Sequence, residues 1–277
     1  MNGKWVLYED QDIIVCHKAA GIATQTARVG QADMVSEVAN YLAHSNPVGA
    51  SGRNGGVRRR NGKTQSMPYV GVVHRLDQPV EGILVFAKNK DAAAGLSRQM
   101  AGKEAEKYYY AIICGQDFEK EGELEDYLLK DGRTNLSSVV PREVKDAKRA
   151  ALHYEVLAEK MAVPETDMVK DAAERREDFG KYRIALVRIR LDTGRHHQIR
   201  VQMSHAGMSL LGDHKYADAK ARRISELMQV KKIALCAYQL SFLHPRTGAR
   251  LWFRVRPEGN NFHIDEFMSY YEKDAHM

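Results

Sequence analysis

Three segments far apart along the chain carry groups that could act together on one substrate. They are Asp77 with Arg75 and His74 beside it, Tyr109, and the run from Arg195 through Gln198 and Ile199 to Arg200. A carboxylate held rigidly is a competent nucleophile or general base. A guanidinium nearby favours the ionised form of such an acid. Arginines at a helix start can also hold phosphate, because the first backbone N–H groups of a helix already attract anions. An aspartate in a turn more often caps the backbone than reacts, so the weight of Asp77 depends on its surroundings.

Several other chemistries lack their sequence patterns. There is no G-x-x-x-x-G-K-[ST] loop, no G-x-G-x-x-G after a strand and no G-x-S-x-G elbow. His196, His197 and His205 lie close together, but adjacent histidines diverge by roughly 100° on a helix. No H-E-x-x-H spacing is present, so no metal is expected. Cys16, Cys114 and Cys236 are widely spaced, each in an apolar run, and read as buried thiols in a reducing compartment. The apolar runs are too short to span a membrane, and the first residues lack the apolar core of a signal peptide. A cytoplasmic protein is the expectation. The net charge of +6 is concentrated: Arg53, Arg58, Arg59, Arg60 and Lys63 fall in one segment, and Arg183, Arg188, Arg190, Arg195 and Arg200 in another. Such clusters suit a polyanion, although a solvated charged face would look the same.

The elements that would position these groups follow from periodicity. Residues 69–88, YVGVVHRLDQPVEGILVFAK, read as two apolar β-branched strands around a short polar connection, with Pro79 and Gly82 forming its turn. Ahead of it, residues 5–8 and 13–16 predict a hairpin, and Met34, Val38, Tyr41 and Leu42 a helix over 34–44. Residues 45–68 are rich in Gly, Ser, Asn and Arg without period, and predict a long basic flexible loop. Beyond the centre, a helix is predicted over 89–102 and strands over 107–115, 121–130, 148–157 and 182–191. A charged excursion with helix spans 160–180, a helix runs over 195–207, and a last hairpin is formed by 233–244 and 249–255. On the 195–207 helix Ile199, Met203 and Ala206 make the inward stripe, with Arg200 elsewhere on the cylinder. Hairpin connections and irregular interleaving favour an α+β fold with a mixed, largely antiparallel sheet.

Four of these segments, in order, resemble the RNA pseudouridylate synthases of the RluA type. They are Val73-His74-Arg75-Leu76-Asp77 with Gly82; Lys107-x-Tyr109-x-Ala111 leading to Gly115; Leu191-x-Thr193-Gly194-Arg195-x-His197-Gln198-Ile199-Arg200-Val201 with His205-x-Gly207 and Gly212-Asp213-x-x-Tyr216; and AYQLSFLHP over 237–245. The resemblance implies one catalytic domain over residues 1–277, built as two α+β halves with a central cleft; no S4-type module is expected ahead of Trp5, since only four residues precede it. It assigns Asp77 as the catalytic aspartate, Tyr109 as the active-site tyrosine and Arg200 as the basic partner of the aspartate. Ile199 would line the uracil pocket, and Arg75 would fill the place of a flipped nucleotide or touch its backbone. His74, Arg195 and Gln198 complete the candidate substrate contacts.

The implied activity is isomerisation of uridine to pseudouridine in structured ribosomal or transfer RNA. RNA is the expected partner, with no cofactor, no metal and no membrane; a monomer is expected, although no residue fixes the oligomeric state. The chain departs from the family at Ala19, where Lys-Pro-x-Gly is usual, at Gln202, where histidine is common, and at His196, where threonine is. Two rival readings stand beside this one: a non-catalytic RNA-binding protein, and a glycosidase or nucleosidase pairing Asp77 with Glu81.

Overall fold

The computed structural model describes residues 4–26, 28, 30–45, 57–60, 63–162 and 181–273. Along the chain run β1 (Val6–Glu9), β2 (Ile13–Lys18), α1 (Met34–Ser45), β3 (Val57–Arg60), β4 (Lys63–Ser66), β5 (Gly71–Val72), β6 (Glu81–Ala87) and α2 (Lys90–Ala101). Then come β7 (Glu106–Gly115), β8 (Glu121–Asp131), β9 (Leu136–Val140), β10 (Lys148–Met161), β11 (Arg183–Leu191) and α3 (Gln198–His205). The chain closes with β12 (Ser209–Leu210), α4 (Ala219–Leu227), β13 (Leu235–Leu243), β14 (Arg250–Arg254) and α5 (Asp265–Lys273). Two compact units result, one from residues 1–105 and 239–255, the other from 106–238 and 256–277. The architecture is α+β with mostly antiparallel strands. Among the described residues no helix is long and apolar enough to cross a membrane.

In the first unit β1, β2 and β6 pair antiparallel in that order, and the short β5 adds to β6. All seven residues of β6 are buried, as the unbroken apolar run Ile83-Leu84-Val85-Phe86-Ala87 requires. Helix α2 starts at Asn89, whose side chain caps the Ala92 N–H at 2.9 Å. Its Ala92, Leu96 and Met100 pack on Ile13, Val15, Ile83 and Val85, together with Leu240 and Phe242 of β13. Two expectations change here. Gly82 lies inside β6 and not in the turn, which falls at Gln78 and Pro79; its φ of +130° is a conformation that glycine tolerates and L side chains rarely adopt. Within 45–68, β3 and β4 form a hairpin, with Arg58 opposite Gln65. Residues 46–56, Arg53 included, and 61–62 lie outside the described residues.

Lys18 ties β2 to the segment that carries Asp77. Its side chain is fully buried, and its ammonium donates to the carbonyls of Ile22 at 2.6 Å and of Ala19 and Gln78 at 3.2 Å. Burial lowers the pKa of this ammonium to about 8, against the opposing pull of the Asp77 and Glu81 charges.

In the second unit β7, β11, β10, β8 and β9 pair antiparallel in that order, with β12 added to β7. Cys16, Cys114 and Cys236 are buried thiols, and burial pushes the Cys114 thiol up to about 12. Residues 163–180, the core of the predicted charged excursion, lie outside the described residues. The helix expected over 195–207 spans only Gln198–His205, because His197 takes a left-handed φ of 54° that ends helical geometry on its N-terminal side. Arg195 therefore stands ahead of the helix and not on its first turn. Arg200 does not lie away from the core either: with Gln198 and Gln202 it is buried, so the helix is enclosed on more than its apolar stripe.

Gly212 sits just before Asp213 with φ +72°, and a Cβ there would meet the Lys232 carbonyl oxygen at 2.1 Å. Gly212→Ala should cost about 2 kcal/mol or more, read as a lower urea midpoint. Lys18 gives a pH-dependent expectation. Its folded pKa of about 8 lies below the usual 10.5. The folded protein thus loses this proton before the unfolded chain does, and stability should rise with pH across that window. Urea unfolding at about pH 7.5 and about pH 10 should show that rise in the wild type relative to Lys18→Met. Parallel pH dependence in the two proteins would contradict it.

Candidate active site

Asp77 lies in the first unit, on the extended segment between β5 and β6, and is half-buried. The segment is fastened residue by residue. The His74 Nε2 accepts the Val85 N–H at 3.0 Å, so that nitrogen carries no proton and the ring's hydrogen is on Nδ1. Arg75 points outward, is exposed and donates to Gln25 Oε1 at 2.9 Å. Leu76 is clamped at both backbone groups by one side chain: its N–H donates to Thr24 Oγ1 at 3.1 Å, and that hydroxyl donates back to its carbonyl at 2.9 Å. The Val80 N–H closes the turn on the Asp77 carbonyl at 3.1 Å. With Lys18 holding the Gln78 carbonyl, the residues on both sides of Asp77 have fixed backbones. Glu81, which the nucleosidase reading would pair with Asp77, is 3% exposed at the start of β6.

Tyr109 and Arg200 belong to the second unit. Tyr109 lies on β7 opposite Ile189 of β11 and is buried. Arg200 is 4% exposed on α3 and grips Asp213 with two parallel bonds, Nε to Oδ2 at 2.8 Å and Nη2 to Oδ1 at 2.7 Å. The guanidinium carbon also stands 5.1 Å from the centre of the Tyr216 ring. Burial alone would raise the Asp213 pKa. The Arg200 bonds and charge, with the N–H groups of Lys215 and Tyr216, outweigh it and hold the carboxyl below the ordinary carboxylate value. The family resemblance places Asp213 in a motif but assigns it no such role. The signal was the spacing Gly212-Asp213-x-x-Tyr216, in which a turn forced by glycine delivers an acid and an aromatic ring to one guanidinium.

The other residues around Arg200 in the Leu191–Val201 segment brace that helix. The Gln198 Oε1 accepts the Arg195 N–H at 2.9 Å and the Thr193 hydroxyl at 2.8 Å, while its Nε2 donates to the Ala151 carbonyl at 3.0 Å. Ile199 is buried. Arg195 is exposed, with its Nε on the Arg149 carbonyl at 2.9 Å. His197 stacks on His196, and its Nδ1 lies 2.6 Å from the Tyr216 hydroxyl, which also accepts the Ser137 N–H at 2.9 Å. Gln202 gives its Nε2 to Asp126 Oδ2 at 2.8 Å and to the carbonyls of Leu124 and Ala150.

Elsewhere in the first unit Asp10, Asp12 and His244 bring potential ligand atoms within 4.8 Å of one another. These atoms serve a hydrogen-bonded tie. The His244 Nδ1 accepts the N–H groups of Arg246 and Thr247, which leaves Nε2 to donate to Asp10 Oδ2 at 2.7 Å. The Asp12 Oδ1 accepts from Asn89 at 2.8 Å and from Arg246 at 2.6 Å.

Comparison with known proteins gives these two sites a family. Residues 12–205 match the family model described as RNA pseudouridylate synthase. The tRNA pseudouridine synthase C of Vibrio vulnificus is 34% identical over 188 residues, covering 68% of this chain and 72% of that protein. The ribosomal large subunit pseudouridine synthase D of Zymomonas mobilis is 31% identical over 250 residues, 90% of this chain and 67% of its own length. A solved structure of human RNA pseudouridylate synthase domain containing 1 shares the fold, with a TM-score of 0.61 at 18% identity over 91% of this chain and 82% of that one. With the family model spanning most of the chain and carrying both the Asp77 segment and the Arg200 helix, the chain belongs to the RNA pseudouridylate synthases, isomerases that act on RNA.

Proposed function

We propose that this chain isomerises uridines in structured transfer or ribosomal RNA, the RNA classes named for its relatives, with Asp77, Tyr109 and Arg200 as the catalytic residues. The observation that carries the reading is the rigid support of Asp77: a carboxylate on a segment whose neighbours are clamped by Thr24, His74 and Lys18. The reaction breaks the bond from ribose C1′ to uracil N1 and forms one from C1′ to C5. The proton on C5 is lost, and N1 ends with a proton. A target nucleotide inside a helix must first leave its stack, which costs a few kcal/mol. The Asp77 carboxylate either attacks the ribose or base to hold the broken bond, or removes a ribose proton to give a glycal; both routes need a fixed, unprotonated acid. Tyr109 stacks on the uracil and accepts the C5 proton. Arg200, held by Asp213, supplies the positive charge. Ile199 lines the uracil pocket, Arg75 fills the space left by the flipped nucleotide or touches its backbone, and His74, Arg195 and Gln198 support the contacts to RNA.

Asp77→Asn should lower tritium release from RNA labelled at uridine C5 on the order of a thousandfold or more while RNA binding persists; substantial turnover in this variant would remove Asp77 from the mechanism. Mapping pseudouridine in cells lacking the chain, with complementation by wild type or Asp77→Asn, separates transfer from ribosomal RNA. Asp213→Asn strands a buried guanidinium, a change that typically costs about 3–5 kcal/mol. It should depress turnover at saturating RNA more than it weakens RNA binding, with Asp213→Glu partly restoring it. Arg200→Lys should also be impaired, since a point charge cannot reproduce the two parallel bonds. Wild-type turnover in Asp213→Asn would show that Asp213 does not position Arg200 for the chemistry.

A further inference from the structure

Strand β14 divides its residues cleanly between two faces. Leu251 and Phe253, with Val255 just beyond, pack against the apolar core of the first unit, and Phe253 meets the rings of Tyr8 and Phe242. Alternation puts Arg250, Trp252 and Arg254 on the other face, and all three are exposed. Trp252 leaves 53% of its surface to solvent, which makes it the most exposed large apolar side chain among the described residues. Its flanking cations are anchored: Arg250 donates to the Glu104 carbonyl at 3.1 Å and to Ser241 Oγ at 3.3 Å, and Arg254 donates from Nε to Gln239 Oε1 at 2.7 Å. More than half of the Trp252 surface lies outside the packing, and two positioned guanidinium groups frame the ring.

We infer that this face of β14 is an RNA contact outside the catalytic residues, where an unpaired base stacks on Trp252 and the adjoining phosphates lie against Arg250 and Arg254. Alternate side chains on a strand stand about 7 Å apart, so the two arginines are about 13 Å apart with the ring between them. An aromatic ring between cations is the arrangement by which single-stranded nucleic acid is held without reading its sequence, because every base offers a face to stack. Charge complementarity selects the occupant: two arginines repel a cationic surface and attract a polyanion, on a chain whose own charge is +6. The inference rests on the reading that the substrate is RNA, but it does not depend on which residues perform the isomerisation.

The test uses the full chain and reads binding, not turnover. The protein has two tryptophans, so Trp5→Phe leaves Trp252 as the sole indole emitter. Its emission should be quenched by a single-stranded oligouridylate and by unfractionated transfer RNA, and much less by heparin, which carries charge without bases. Trp252→Ala should weaken binding of both RNAs about tenfold, and Trp252→Phe should recover most of that. Arg250→Gln should lower the slope of log affinity against log salt by about one. Unchanged RNA affinity in Trp252→Ala would overturn the inference even if the enzyme still makes pseudouridine. So would sedimentation showing a dimer of this chain that Trp252→Ala dissolves, since a second copy would then occupy the face. Failure of Asp77→Asn to abolish turnover would sink the catalytic assignment and leave these binding results untouched.

Discussion

The pairing of Arg200 with Asp213 is the constraint from which the second unit's design can be read. A guanidinium with 4% of its surface exposed has lost its hydration, and only a carboxylate with both oxygens engaged replaces it. That requirement reaches far along the chain. Asp213 must arrive on a turn that only glycine can make, because the Lys232 carbonyl stands where a Cβ would be at Gly212. Tyr216 must follow three residues later to put its ring over the guanidinium and its hydroxyl within reach of Ser137 on β9 and His197 at the helix start. Gln198 and Gln202 then bind α3 to the carbonyls of Ala151, Ala150 and Leu124, so the arginine is delivered from a helix that cannot slide.

The first unit answers a different demand: keeping a short, turn-bearing segment rigid although it contributes few apolar side chains. It does so with polar ties aimed at backbone groups. Thr24 takes both the N–H and the carbonyl of Leu76, His74 takes the N–H of Val85, and the buried ammonium of Lys18 gathers three carbonyls. Each tie satisfies a backbone group that burial would otherwise strand. The lysine bears the cost, with its proton held less tightly than in water. An extended strand-to-strand connection needs such fastening, because it has no internal hydrogen-bond ladder of its own.

Much of the fold was legible because period and punctuation agree in most segments. The α2 helix carries its cap at Asn89 and its stripe at Leu96 and Met100, and β2, β6, β7 and β11 are apolar runs of strand length. What escaped had weak local signals. β9 is five residues with two serines, α4 has a mean composition that is polar, and β3 with β4 is rich in arginine, lysine and glutamine. The start of α3 was misplaced by three residues, because the left-handed backbone at His197 leaves no mark in a residue type that is not glycine.

The sequence by itself determined the chemistry on offer: an aspartate in a turn, a tyrosine on a strand, an arginine in T-G-R-x-H-Q-I-R, and a family whose motifs occur in order. These are properties of residue type and spacing, and both are written in one dimension. Only the tertiary structure decided who holds whom. Asp213 as the partner of Arg200, Thr24 as the clamp on Leu76, and Lys18 under the Gln78 carbonyl are contacts between residues 13, 52 and 60 positions apart. No local pattern encodes such distances, because burial first has to remove water before one polar group is obliged to find another.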